Sequence, residues 1–410
     1  MTRGTRPVPA WAWAAVLAFA LAVRLAVVWF SPRVILWADG RDFEALGRFL
    51  LTHHGYGMDT VRPPGYPTFI AAVYALFGTS LLALRIVEAI LAAVFVGVVA
   101  AVGMSLFGPW AGLVSAALAS LEPILVLLPA TQYSENLLLL LVVLAFAASF
   151  AAWRRGALWR WVLAGALFGL VILTRPNVTT LLPGFVVGFA LALRRERKDW
   201  VGPLLAAAVA AALVISPWIV RNYRVHHRWY FVASTSGRLL WLGNNPGTTG
   251  ATNVNAPFDS TLKQELLRQH DDLSADRVLL RHGLTFMREH PGRAAWLYLL
   301  KLRNLFALYP DPITRTPYQT AWSLVAQALA SSTVFAGALL ALGRLRASPA
   351  LWPMLGGVLT YALVSAVFLM VMRYRMAIEP FLLWMAGLGW ADLLGRARPE
   401  LSASAGSAAA

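Results

Sequence analysis

Three acids and an arginine lie close together in the chain, just after its first long apolar segment. The acids are Asp39, Asp42 and Glu44, and Arg62 directly precedes two prolines. A carboxylate in this setting can act as a general base on a hydroxyl or amine, or it can hold a divalent cation. A guanidinium group can bind a phosphate through two parallel hydrogen bonds. The local pattern does not separate the three acids. The alternative interpretation is a set of solvated loop acids and an arginine bound to lipid headgroups.

A second set of charged residues lies at the ends of later apolar segments. Glu135 opens one such segment, Arg175 lies in a tight turn, and Arg373 and Arg375 share another turn. Short turns on the outer side of a membrane are normally poor in arginine, so these turns indicate contact with something anionic. Two alternatives remain: other loops outweigh the arginines in setting the topology, or Glu135 is simply favoured by a helix N-terminus.

The elements that must position these residues are strongly apolar. The 410-residue chain is 59% hydrophobic and only 13% charged, whereas soluble proteins have about 25% charged residues. Blocks of about 20 apolar residues, enough to span a bilayer, recur along the whole chain. We therefore predict an all-α polytopic membrane protein with about ten transmembrane helices. The predicted spans cover residues 11–30, 80–106, 110–129, 134–153, 160–174, 177–193, 201–220, 321–342, 350–371 and 377–395.

Composition also excludes several classes of function. The chain has no cysteine, which excludes disulfides and thiolate metal sites. A net charge of +16 would suggest nucleic-acid binding in a soluble protein. Here the arginines lie mostly at the ends of apolar blocks, where they set orientation and meet anionic lipid. We predict no nucleic-acid partner. The first apolar block is long for a signal peptide and lacks a cleavage site, so we expect it to be retained.

Basic residues in the short loops predict the orientation in the membrane. With about ten spans they all fall on one side, which the positive-inside rule makes the cytoplasm. We expect a multi-pass inner (cytoplasmic) membrane protein whose active site faces the periplasm or exterior. These basic residues lie at 3–6, 154–160, 194–198, 344–346 and 396–398.

The predicted domain organisation follows from the loop lengths. Residues 1–220 form an N-terminal transmembrane catalytic module, which includes an external loop at 31–79. Residues 221–318 form an external loop subdomain, residues 319–398 the C-terminal transmembrane helices, and residues 399–410 a disordered tail. Within the first loop, residues 65–77 are apolar but short, which is typical of a helix lying at the membrane interface.

Several short motifs occur in an order that is typical of one family. The chain resembles the bacterial glycosyltransferase family 39 proteins, the group of the protein O-mannosyltransferases and of the aminoarabinose transferases of lipid A. These belong to the GT-C class of integral membrane transferases. Phe43 stands where the family usually has tyrosine, and Gly40 stands where some relatives carry a second acid. The matching motifs are Arg62-Pro63-Pro64, Tyr133-Ser134-Glu135, Leu173-Thr174-Arg175-Pro176-Asn177, Gly243-Asn244-Asn245-Pro246, His290-Pro291-Gly292-Arg293 and Arg373-Tyr374-Arg375.

The resemblance implies transfer of a sugar from a polyprenyl-phosphate donor to an acceptor glycan, lipid or protein on the extracytoplasmic face. It implies that Asp39 is the catalytic base, alone or assisted by a metal. Glu135 then matches a second acidic position that helps to hold a divalent cation, Mg²⁺ or Mn²⁺, the only candidate cofactor. Arg62 matches the basic residue near the donor phosphate, and Arg175 and Arg375 assist it. Asp42, Glu44 and Arg373 are secondary candidates.

Two other functions remain open at this point. A secondary transporter or flippase of lipid-linked or small anionic substrates would place polar residues near the bilayer midplane, ideally in two similar halves. The polar residues here concentrate at one edge, and no duplication is evident. A glycan polymerase or ligase would share both the lipid-linked donor and an external catalytic loop, so the sequence does not distinguish it.

Overall fold

A computed structural model describes residues 7–250, 259–310 and 320–396, and these residues form helices and connecting turns without a β-strand. The first part of the chain contains α1 (Ala10–Phe30), α2 (Ala38–His53), α3 (Gly65–Phe77), α4 (Leu81–Phe107), α5 (Pro109–Leu121), α6 (Pro123–Leu127), α7 (Glu135–Arg155), α8 (Leu158–Thr174), α9 (Leu182–Arg195) and α10 (Val201–His226). The second part contains α11 (Ser236–Gly243), α12 (Ser260–Leu267), α13 (Asp272–Glu289), α14 (Pro291–Leu305), α15 (Ala321–Ala341), α16 (Leu351–Ser365) and α17 (Glu379–Leu393). Short 3-10 turns occur at Leu128–Ala130, Pro176–Leu181, Leu342–Arg344 and Met372–Ala377.

The all-α membrane architecture is confirmed, but the count of ten spans is not. Among the described residues, 6 helices are long and apolar enough to cross a membrane, and a bent pair brings the number to 7. Each predicted block does contain a helix. Three of these helices, α8, α16 and α17, have only 17, 15 and 15 residues, and a span needs about 20. The bent pair is α5 and α6, which meet at 61° beside Pro123.

The core of the bundle forms around α17, which is buried along almost its whole length. A helix that is apolar on all sides is expected at such a central position. Phe381 stacks on Phe146 of α7 with ring centroids 4.0 Å apart. The indole N–H of Trp384 donates to the carbonyl of Val99 in α4 at 2.9 Å. Helices α4, α7 and α17 therefore form one packed unit.

Glycines allow two helix pairs to approach closely, as is common in membrane bundles. A Cβ on Gly184 of α9 would lie 2.0 Å from the carbonyl oxygen of Gly356 in α16. A Cβ on Gly165 of α8 would lie 2.0 Å from the carbonyl oxygen of Ala207 in α10. These contacts fix α8 and α9, and between them the turn that carries Arg175.

Helices α2 and α3 form a small layer against the start of α4. Phe43 of α2 packs edge-on against Tyr66 of α3, with centroids 5.3 Å apart, and Ile70 joins the same cluster. The helix predicted at residues 65–77 is present as α3. The cluster holds the Arg62 segment between α2 and α3.

Helices α11 to α14 lie in the predicted loop subdomain. The carboxylate of Asp276 accepts hydrogen bonds from the backbone N–H groups of Gly237 and Arg238, which begin α11. The ammonium group of Lys301 donates to the carbonyls of Gly243 and Val367, and so ties the end of α11 to the segment after α16. Helix α10 continues to His226, past the predicted boundary at residue 220. The predicted tail at 399–410, like residues 3–6 and 311–318, lies outside the described residues.

Candidate active site

Asp39 lies in the first turn of α2, which packs tightly on a neighbouring turn. A Cβ on Gly40 would lie 2.7 Å from the carbonyl oxygen of Thr131 and 2.9 Å from Cγ2 of Ile35. The side chain of a second acid therefore has no room at this position. Gly40 instead lets α2 approach the chain just before α7, which carries Glu135.

Two arginines from distant parts of the chain hold the Asp39 carboxylate. Arg62 Nη1 donates to Oδ1 at 3.2 Å, and Arg373 Nη2 donates to Oδ2 at 2.5 Å. Burial raises the pKa of Asp39, but the charges of Arg373 and Arg62 together outweigh it and hold the pKa at about 2, below the ordinary 3.8. Asp39 is therefore ionised at neutral pH.

Arg62 is positioned by its own backbone and by an aromatic ring. Its N–H donates to Oδ1 of Asp59 at 2.8 Å, which fixes the turn before the prolines. Its guanidinium lies 5.0 Å from the centroid of the Phe43 ring, and also donates to the carboxylate of Asp42. The Phe43 ring thus supports Arg62 by a cation–π contact, which needs no hydroxyl.

Glu135 is the second inner carboxylate, and its side chain is only 2% exposed at the N-terminus of α7. Its Oε1 lies 3.2 Å from Nη1 of Arg175 and 3.5 Å from Nε of Arg373. These are ionic contacts without hydrogen-bond geometry. Arg175 also donates to the hydroxyl of Ser134 at 3.2 Å.

Arg373 is the group that joins the two carboxylates. It contacts both Asp39 and Glu135, and its guanidinium lies 4.5 Å from the centroid of the Tyr133 ring. The cluster contains three guanidinium groups, from Arg62, Arg175 and Arg373, two inner carboxylates, and Asp42 paired with Arg62 at its exposed rim. Three guanidinium groups gathered at a partly open surface can bind an anionic ligand in place of a carboxylate.

Comparison with known families gives a match over part of the chain. Residues 61–220 match the family described as dolichyl-phosphate-mannose-protein mannosyltransferase. This region contains Arg62, Glu135 and Arg175. A search of the curated proteins found no match.

Solved structures give the fold. The apo oligosaccharyltransferase of Archaeoglobus fulgidus matches with a TM-score of 0.57 and 14% identity, over 93% of this chain and 50% of that chain. The chain thus spans about half the length of that protein. The oligosaccharyltransferase AglB from Archaeoglobus fulgidus, in complex with an inhibitory peptide and a dolichol-phosphate, matches with a TM-score of 0.53 and 17% identity, over 96% of this chain and 53% of that chain. ArnT from Cupriavidus metallidurans bound to undecaprenyl phosphate matches with a TM-score of 0.43 and 17% identity, over 94% of this chain and 79% of that chain.

The chain has the GT-C fold. The predicted resemblance to this class of integral membrane transferases is confirmed.

Within this GT-C fold, most of the predicted site residues come together and two do not. Asp42 lies at the rim of the cluster, with its side chain 56% exposed. Glu44 lies apart, where it pairs with Arg48 and accepts a hydrogen bond from Tyr74 at 2.8 Å. Arg375 also lies apart, buried against Glu122 and Glu379.

The predicted metal site is not confirmed. In the portion of the GT-C fold that the structure describes, no group of three or more acids and histidines could hold a metal ion. Both oxygens of Asp39 are bound to guanidinium groups, those of Arg62 and Arg373, and Oε1 of Glu135 faces those of Arg175 and Arg373. A divalent cation prefers several oxygen ligands. The residues in this arrangement therefore do not fit a metal.

Three features of the site were not predicted from the sequence. Tyr133 lies under Arg373, and Tyr374 lies 5.3 Å from the guanidinium of Arg175. Each tyrosine lies next to or near a predicted charged residue in the sequence, and this proximity could have indicated a place in the site. The close approach of Gly40 depends on tertiary packing and left no local signal.

Proposed function

We propose that the chain transfers a sugar from a polyprenyl-phosphate donor to an acceptor hydroxyl or amine on the extracytoplasmic face of the inner membrane. The observation that carries this proposal is the cluster of Arg62, Arg175 and Arg373 around Asp39 and Glu135. It offers a carboxylate base and three guanidinium groups in one place. The GT-C fold and the matched family agree with this assignment.

The chemical step that we propose is a single displacement at the anomeric carbon. The acceptor oxygen or nitrogen forms a bond to that carbon while the bond to the donor phosphate oxygen breaks, and the bonding electrons leave with the phosphate. Asp39 takes the acceptor proton. Arg62 and Arg373 neutralise the charge that develops on the phosphate. With one base and a leaving group on the opposite face, the configuration at the anomeric carbon inverts.

Donor binding also activates the base in this mechanism. Arg62 and Arg373 hold the pKa of Asp39 at about 2, which makes the free carboxylate a weak proton acceptor. A phosphate that binds the same two guanidinium groups draws them away from Asp39. The pKa of Asp39 then rises, because its burial is less well offset. The base therefore gains strength when the donor is in place.

Purified protein in liposomes with radiolabelled polyprenyl-phosphate sugars tests the function. We expect labelled sugar on an acceptor, together with free polyprenyl phosphate in equal amount. Movement of intact donor between leaflets without cleavage would instead favour a flippase. Repeated addition to one growing chain would favour a polymerase.

Arg62→Ala is expected to weaken binding of polyprenyl phosphate by about 10–100-fold, because a charge-assisted hydrogen bond to the phosphate is lost. Arg62→Lys should recover only part of this loss, since an ammonium group cannot form two parallel bonds. Binding is measured by titration in detergent. Arg41→Ala is the control, because Arg41 lies nearby on α2 but donates to the carbonyl of Leu36 instead of an acidic side chain. Equal affinity of Arg62→Ala and the control would contradict this role.

Arg373→Ala is expected to change the pH dependence of transfer. Arg373 provides the largest of the charges that lower the pKa of Asp39, and burial, which raises the pKa, is the largest influence of all. The wild-type pKa is held at about 2, so kcat/KM should show no acid limb from Asp39 above pH 4. Without Arg373 the pKa of Asp39 rises, because burial is then opposed by one charge fewer, and the acid limb of kcat/KM moves to higher pH. A pH profile of kcat/KM measures this, and an unchanged profile in the variant would contradict the assignment.

A further inference from the structure

An apolar groove lies between α1, α4 and α7, far from the candidate active site. Its volume is about 770 Å³, and its walls include Leu17, Val94, Gly97 and Ala147. Ligand sites commonly occupy about 300–1,000 Å³. The groove ends at the last turn of α7, whereas Glu135 begins that helix. A helix of 21 residues rises about 1.5 Å per residue, so roughly 30 Å separates the two ends.

Small side chains make the groove. The Cβ of a residue at Gly97 would lie 3.8 Å from Cδ2 of Leu17 and would meet no closer atom. This spacing is ordinary contact and leaves space beyond it. The alanines on α4 and α7 leave the same space along their length. An extended hydrocarbon chain fits such a shape.

Two arginines stand at one end of the groove, at the last turn of α7. Arg154 donates to the carbonyl of Ser105 at 2.5 Å and to its hydroxyl at 3.0 Å, which holds its guanidinium across the end of α4. Arg155 is exposed beside it. Both arginines line the groove. Basic groups between helices at the level of the headgroups recognise anionic lipids.

We propose that this groove binds one acyl chain of an anionic phospholipid, with the lipid phosphate between Arg154 and Arg155. The occupant follows from the complementarity of an apolar wall and a paired positive charge at its mouth. This site is separate from the proposed transfer reaction and does not depend on it.

Native mass spectrometry tests the proposal. The full chain in detergent is mixed with phosphatidylglycerol or phosphatidylcholine, and the lipid that stays bound after removal of the detergent is measured. We expect one phosphatidylglycerol to bind in preference to phosphatidylcholine. Each arginine near the surface contributes about fivefold, so Arg154→Ala/Arg155→Ala should weaken phosphatidylglycerol binding by about 30-fold. Gly97→Leu should abolish tight binding of both lipids, because its side chain enters the groove.

The matched control is Arg194→Ala/Arg195→Ala, which removes two arginines from the last turn of α9. This control should bind phosphatidylglycerol like the wild type. An equal loss in the control would show a general charge effect and overturn the proposal. Unchanged lipid binding in both groove variants would also overturn it. So would a dimer that Gly97→Leu converts to a monomer, because a second copy would then occupy the groove.

Discussion

Asp39→Asn is expected to lower the rate of sugar transfer by about 10²–10⁴-fold, the usual contribution of a general base. Asparagine has almost the same shape as aspartate but cannot take a proton from the acceptor. The loss should appear in kcat. Donor affinity should hold or improve, because Arg62 and Arg373 lose a competing carboxylate while they keep their own charge. Single-turnover measurements with a labelled donor separate the chemical step from binding.

Asp42→Asn is the matched control for this experiment. Asp42 also pairs with Arg62, but its side chain is 56% exposed and lies at the rim of the cluster. We expect this variant to retain most of its activity. If Asp39→Asn kept the wild-type rate while Asp42→Asn lost it, the base would be Asp42 and the proposed geometry would be wrong. If neither variant affected transfer, the base would lie elsewhere.

Many residues of the site could be predicted because charged side chains are energetically unfavourable at these positions in a membrane protein. Arginine in short turns such as that of Arg175, and a carboxylate such as Glu135 at the end of an apolar block, are unfavourable unless they have partners. Such residues therefore stand out in the sequence. The pairing of these residues could not be predicted from the sequence. It depends on tertiary packing, such as the close approach at Gly40 and the ion pair between Asp39 and Arg373.

The number of spans was less predictable, because apolar length and helix length are different quantities. The block at 110–129 looks continuous by composition, yet its helix breaks at Glu122 and Pro123, where the backbone of Glu122 is extended. A residue before proline is biased away from the helical region. Helix α17 falls in a predicted span but is only 15 residues long, and it is buried along almost its whole length.

The position of Arg375 shows why spacing alone was insufficient. Arg373 and Arg375 were predicted to act at one site, but they lie on a 3-10 turn. Such a turn has about three residues per turn, so side chains two residues apart point in different directions. Arg373 reaches Asp39, and Arg375 reaches Glu122. Glu122 was itself overlooked within an apolar block, although a charge in such a block is a strong signal.

Arg375→Ala is expected to destabilise the protein more than any other single change considered above. The Arg375 side chain is 2% exposed and pairs with Glu122 at 2.7 Å and with Glu379 at 2.8 Å. It also donates to the hydroxyl of Ser331 at 3.1 Å and to the carbonyl of Ala307 at 3.0 Å. Its removal leaves two buried carboxylates facing each other. Breaking a buried ion pair from one side costs about 3–5 kcal/mol.

Thermal unfolding in detergent measures this effect, and we expect the midpoint to fall by roughly 5–10 °C. Arg344→Ala is the control for a less buried pair. Arg344 Nε lies 2.8 Å from Oδ2 of Asp392, but the Arg344 side chain is 37% exposed. An exposed pair contributes about 0–1 kcal/mol, so this variant should unfold close to the wild type. The variant Arg375→Met/Glu122→Gln/Glu379→Gln removes every charge of the cluster and should recover much of the lost stability.

The same variants decide between the predicted and the observed role of Arg375. A structural role predicts that the triple variant binds polyprenyl phosphate again, because a neutral cluster can still hold the turn that places Arg373. A direct contact between Arg375 and the donor phosphate predicts the reverse: normal stability in Arg375→Ala, and weak donor binding in every variant that lacks the arginine. Donor titration beside the unfolding curve separates these outcomes. If the triple variant regained stability but not donor binding, Arg375 would contact the donor phosphate, as the sequence analysis predicted.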